Sequence, residues 1–112
     1  MRNLFKETEN ILNRNGKTFD DVVSIQGNDF AITVDNFIKV AKETNYDSGY
    51  GSQEVATDIK IIGDGWWLER AEYDGSEWWE FKKLPKIITE TKSVNRLACG
   101  TYGYAFLKEI NK

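Results

Sequence analysis

Four glutamates, Glu69, Glu72, Glu77 and Glu80, are interleaved with all four tryptophans of the chain, which fall between Trp66 and Trp79. Paired carboxylates set beside aromatic rings are the chemistry of glycoside hydrolysis, where one acid protonates the leaving oxygen and the other attacks or activates water. Glu69 and Glu80 are the pair that could do this. Two considerations weigh against it: outward glutamates are common on hairpin strands, and a chain of 112 residues offers little room for a cleft. Other chemistries have less support. The chain has no histidine, which removes the commonest general base and metal ligand. Its one cysteine, Cys99, has no second cysteine at zinc spacing and reads as a small inert thiol beside a glycine turn. Gly63-Asp64-Gly65 and Gly49-Tyr50-Gly51 lack the context of a phosphate loop, and no stretch has EF-hand spacing. No metal or cofactor is therefore expected.

The tryptophans must be placed before a surface can be named. Glu72-Tyr73-Asp74-Gly75-Ser76 is a hairpin turn, and its length decides which side chains share a face. A three-residue loop, with Gly75 as a G1 bulge, pairs Arg70 with Trp78 and Glu69 with Trp79. A two-residue Asp-Gly turn sets Glu69 opposite Glu80, and such like-charge pairing costs up to about 1 kcal/mol. The three-residue loop is preferred on that ground. It predicts a dry face of Trp67, Trp79 and Phe81 under the helices, and an open face of Trp66, Arg70, Glu72, Trp78 and Glu80. In either register Trp78 and Trp79 are strand neighbours, so they point to opposite faces. The open face then has two readings. In one, Arg70 stacks on Trp78 and Lys82 covers Trp66, leaving it merely solvated. In the other it is an aromatic platform with a polar rim, as at binding hot spots.

The elements that carry this hairpin are legible from periodicity. Leu4, Phe5, Thr8, Ile11 and Leu12 recur at helical spacing over residues 3–14, and Gly16 is placed to end the helix. DDVVSIQGNDFAITV reads as a hairpin about Gly27-Asn28-Asp29. A second helix follows, with Asp35 as its N-cap and Phe37, Ile38 and Ala41 as its apolar stripe. NYDSGYGSQ, residues 45–53, reads as a surface loop, and its Tyr46 and Tyr50 are a second pair of contact candidates. TDIKII is a strand, and after Pro85 the segments Ile87–Thr91 and Tyr104–Ile110 read as strands. Between them ACGTYG, residues 98–103, reads as a loop, and Val94–Leu97 reads as either a strand or a short helix. The whole predicts a single α+β domain over residues 1–112, a mainly antiparallel sheet of five to six strands with two helices packed on one face.

Composition narrows the function classes. Hydrophobic residues make up 40% and charged residues 29%, an ordinary globular balance. A single cysteine, a charged N-terminus and the lack of a long apolar run predict a cytoplasmic protein with no membrane segment. The net charge of −3 disfavours broad nucleic-acid binding. Charge is uneven, however: residues 57–80 carry seven acids against Lys60 and Arg70, and residues 81–112 carry seven bases against Glu90 and Glu109. Either neighbouring strands neutralise each other, or folding separates an acidic hairpin tip from a basic C-terminal patch.

The runs Tyr46-Asp47-Ser48-Gly49-Tyr50-Gly51-Ser52-Gln53, Gly65-Trp66-Trp67-Leu68-Glu69-Arg70 and EYDGSEWWEF (Glu72–Phe81) resemble a group of small uncharacterised proteins encoded in phages and conjugative elements of low-GC Gram-positive bacteria. The resemblance covers roughly residues 20–85. It implies a genomic context and no mechanism: an accessory role on a mobile element, such as binding a host or element-encoded protein or interfering with a defence system. The favoured expectation is a non-enzymatic protein-binding module acting through the aromatic hairpin face, with a homodimer through that face as one option. The alternatives are a single-stranded nucleic-acid binder using aromatic stacking and the C-terminal lysines, and a small carboxylate hydrolase.

Overall fold

In the computed structural model, which describes residues 1–49, 51–100, 103 and 105–112, the chain forms an α+β domain with two antiparallel sheets. Strand β1 (Arg2–Asn3) leads into helix α1 (Leu4–Arg14). A 3-10 turn (Phe19–Asp21) precedes β2 (Val22–Gln26) and β3 (Ala31–Ile32). Helix α2 (Val34–Lys42), β4 (Asn45–Tyr46), β5 (Lys60–Gly63), β6 (Trp66–Tyr73), β7 (Ser76–Lys83) and the short α3 (Leu107–Ile110) complete it. The main sheet runs in the order β3-β2-β5-β6-β7, and β1 pairs with β4 in a small second sheet.

Helix α1 forms where its periodicity places it. The Asn3 side chain caps it by accepting from the Lys6 N–H at 3.1 Å, and Leu4, Thr8 and Leu12 face inward four residues apart. Gly16 ends it at φ 72°, with its N–H donating to Asn13 and the Lys17 N–H to Leu12, the paired bonds of a Schellman turn. The cap of α2 is Thr33, not Asp35: its hydroxyl accepts from the Asn36 N–H at 3.0 Å, and Asp35 sits in the first turn beside the positive helix end. Both helices pack on one face of the main sheet, where Leu12, Ile25, Ile61 and Leu68 are completely buried. Burying each such side chain contributes about 1.5–3 kcal/mol.

The β6–β7 hairpin takes the two-residue turn, contrary to the sequence-based preference. Tyr73 pairs with Ser76, Arg70 with Trp79, Glu69 with Glu80 and Trp66 with Lys83. Asp74 and Gly75 both have positive φ, 50° and 87°, the twist that suits a tight hairpin. Magnitudes explain the outcome. The facing glutamates cost at most about 1 kcal/mol, and that cost is offset locally: Trp67 Nε1 donates to Glu69 at 2.7 Å, and Lys82 Nζ lies 3.6 Å from Glu80. In return Trp66, Leu68, Trp79 and Phe81 all reach the helix side together, several kcal/mol of burial. Trp66, placed on the open face from sequence, is therefore in the core, stacked on Phe81 with ring centroids 5.7 Å apart. Trp67 takes the opposite correction and lies outside. Gly63 makes room for this packing, since a Cβ there would lie 2.0 Å from the Trp66 ring.

Beyond β7 the sequence-based strands do not form. Pro85 supplies no N–H, and the last ladder-like bond is Leu84 N–H to Gly65 O at 2.8 Å. Ile87 and Ile88 are 80% exposed, and the C-terminal end of the segment expected as strand is helix α3. Its predicted start, Tyr104, lies outside the described residues. A β-rich composition without a neighbouring edge to pair with does not make a strand. With this tail included the radius of gyration is 18.5 Å, against about 13 Å for a compact chain of this length. Among the described residues no helix is long and apolar enough to cross a membrane.

Candidate functional site

The hairpin has two faces of different character, and each meets a different part of the molecule. On the helix side, Arg70 is the centre of a buried polar cluster. Its Nη1 donates to Glu7 Oε1 at 2.9 Å, and its Nη2 donates to Glu77 Oε1 at 2.9 Å and to the Tyr46 hydroxyl at 3.1 Å. Tyr46 in turn donates to the Glu7 carboxylate. The guanidinium lies over Trp79, 4.8 Å from the ring centroid, and the Trp79 indole N–H donates to Thr8 at 2.8 Å. Glu77, 1% exposed, also accepts the backbone N–H groups of Glu54 at 2.7 Å and Val55 at 3.2 Å. Ser48 bonds both backbone groups of Glu77, and Gly49 N–H donates to Gly75 O at 2.9 Å. The loop after β4 is thus a strap holding the hairpin tip.

These partners set the ionisation of the cluster. Burial alone would raise the Glu77 carboxyl, but the bonds from Glu54, Arg70 and Val55 outweigh it and hold the pKa below the ordinary value. Burial pushes the Tyr46 hydroxyl up, and its bond to Glu7 adds to the rise. For Arg70 burial acts to lower the pKa, and the bonds to Tyr46 and Glu7 overcome it and raise it. A depressed carboxylate stabilises the fold above its unfolded-state pKa, and that contribution is lost as pH falls through the folded-state value. Urea midpoints should therefore drop below pH 4.5 in the wild type, with a shallower acid slope in Glu77→Gln. Equal slopes in the two proteins would mean that Glu77 is not the group responsible.

Several residues singled out from sequence are placed here rather than on a surface. Arg70 and Tyr46 are buried inside the cluster, at 8% and 2% exposure. Glu72 is exposed but shares the helix-side face. Tyr50 lies outside the described residues.

The outer face carries Trp67, Glu69, Ala71 and Tyr73 of β6 with Trp78, Glu80 and Lys82 of β7, and Ile62 and Lys60 of β5 beside them. Among the described residues no helix covers it. Trp78 is 36% exposed and Tyr73 75%, while Trp67, Ala71 and Ile62 are half-buried. Of the hairpin residues expected on the open face, Trp78 and Glu80 are there. Trp67, Tyr73 and Ile62 were missed; the hairpin turn length was the signal for Trp67 and Tyr73, and Ile62 follows from its pairing with Trp67. Glu69 and Glu80 stand side by side on this open sheet, unlike the facing walls of a glycosidase cleft.

Comparison with protein-family models, with curated proteins and with solved structures gives no match.

Proposed function

We propose that the protein is a non-enzymatic protein-binding module, an accessory factor of a mobile genetic element working in the cytoplasm, and that its working surface is the outer face of the β6–β7 hairpin. The observation that carries this reading is the uncovered aromatic surface of Trp67, Tyr73 and Trp78 around Ala71 and Ile62. Rigid aromatic side chains on a preformed sheet lose little freedom on docking, which is why such residues dominate binding energy. The rim is balanced, with Lys60 and Lys82 against Glu69 and Glu80. A neutral rim suits a protein surface better than a phosphate backbone, which calls for an excess of cations. The accessory role rests on the resemblance of the hairpin and strap sequences to mobile-element proteins.

Trp78→Ser and Trp67→Ser, each checked for folding by circular dichroism, should both lose a specific protein that the wild type captures from nuclease-treated Gram-positive lysate. Affinity for that protein, once purified, should fall by tenfold or more, the scale of a hot-spot loss. Gel filtration of the free protein separates a heterologous partner from a second copy of the chain. If both folded variants retain the captured protein at wild-type affinity, the outer face is not the working surface.

A further inference from the structure

A groove of about 520 Å³ runs between α1 and the hairpin, lined by Arg2, Lys6, Asn10 and Arg14 on one side and by Trp78 and Trp79 on the other. Trp78 and Trp79 point to opposite faces of the sheet, so a groove that touches both and also α1 must pass along the free edge of β7. Strand β7 is the last strand of the sheet. Its backbone alternates between groups turned inward to β6 and groups turned outward. Glu77 fixes the phase: its N–H and C=O are taken from outside by Ser48, and Arg2 Nη1 also donates to its C=O at 3.3 Å. Trp79, Phe81 and Lys83 share that phase, and among the described residues no backbone group outside the hairpin bonds to Trp79 or Phe81.

The groove is also charged. Glu7 is the one acid lining it, and its carboxylate is engaged by Arg70 and Tyr46. Lys6 and Arg14 are exposed and make no ion pair among the described residues, and the one ion pair of Arg2 among them is the long contact to Glu7, at 3.9 Å. In a chain of net charge −3 this is a local excess of positive charge.

We infer that the groove takes an extended acidic peptide of a partner protein, which adds to the edge of β7 as a further strand over Trp79–Lys83. The three outward residues match a partner strand of about five to seven residues, since pairing groups recur every second position. Side chains of such a strand alternate, one set turned toward Lys6 and Arg14 and the other toward Trp78. The recognised pattern is therefore acidic residues alternating with apolar ones. A nucleic acid could neutralise the cations but has no repeating donor and acceptor pair to match a strand edge. The chain's own tail is excluded by charge, because Lys86, Lys92, Arg96, Lys108 and Lys112 outnumber Glu90 and Glu109 in it. The inference is independent of the outer-face reading, although Trp78, Glu80 and Lys82 of β7 border both surfaces.

The probe is a fluorescein-labelled peptide of alternating glutamate and valine, about seven residues long, titrated at low salt against the intact protein. It should bind, protect the Trp79 and Phe81 amides from hydrogen exchange, and lose affinity at least tenfold with Lys6→Glu/Arg14→Glu, which alters only exposed side chains. N-methylation of every second peptide nitrogen, on the edge that faces β7, should abolish binding while leaving every side chain in place. Trp67→Ser, on the outer face, should leave it unchanged. The inference is overturned if the peptide does not bind at millimolar concentration, or if the N-methylated or lysine–valine peptide binds as well. It is equally overturned if charge reversal has no effect, or if a short oligothymidylate binds the groove and the peptide does not.

Discussion

Arg70→Ala should lower the unfolding free energy by about 3–5 kcal/mol, the usual cost of removing one partner from a buried ion pair. Arg70 is surrounded by Glu7, Tyr46 and Glu77, and without it the Glu77 carboxylate remains 1% exposed with no cation to balance it. The loss exceeds that of an exposed pair such as Lys82–Glu80, whose side chains are 44% and 47% exposed and where solvent reduces the coupling to at most about 1 kcal/mol. Chemical denaturation at neutral pH measures the difference directly. Arg70→Met combined with Glu77→Gln should be less damaging than Arg70→Met alone, because the second change removes the uncompensated charge. Strict additivity of the two changes, or a loss below about 1 kcal/mol for Arg70→Ala, would show that water reaches the cluster.

The second large effect separates two adjacent residues of the same type. Trp79→Ala should cost about 3–5 kcal/mol, since it opens a cavity in the core. It also removes the indole bond to Thr8 and the ring beneath Arg70. Trp78→Ala should cost clearly less, about 1–2 kcal/mol, because its ring is on the outer face and 36% exposed, so its loss opens no cavity in the core. Urea unfolding of the two variants side by side is a test of the hairpin register. Equal costs would mean that the strand is turned differently from the arrangement described above.

The register is also the place where sequence and structure part company. The architecture was legible: α1 with its inward stripe of Leu4, Thr8 and Leu12, the stop at Gly16, the hairpin about Gly27 and the antiparallel sheet all follow from local pattern. Local charge was a poor guide to the second hairpin. The repulsion of Glu69 and Glu80 is visible in the sequence, but the joint burial of Trp66, Leu68, Trp79 and Phe81 against the helices is a property of the assembled core. Burial outweighed repulsion and decided the register, and with it the positions of Trp66, Trp67 and Arg70. The role of Tyr46 was hidden for a similar reason. Nothing near it in sequence announces that Glu7 and Arg70, 39 and 24 residues away, will meet its hydroxyl. The tail was misread because a strand needs a neighbour, and its composition alone says nothing about whether one is available.

The Arg70 cluster has a consequence for descent. Its members come from α1, from β4 and from both arms of the hairpin, and each depends on the others for charge balance or bonding. A lineage built on this fold can exchange the outer tryptophans, because those rings lie outside the core. It cannot easily exchange one member of the quartet while keeping the other three. The ancestral mark by which a remote cousin would be known is therefore a glutamate in the first turn of α1, a tyrosine on β4, and an arginine and glutamate seven positions apart astride an Asp-Gly turn.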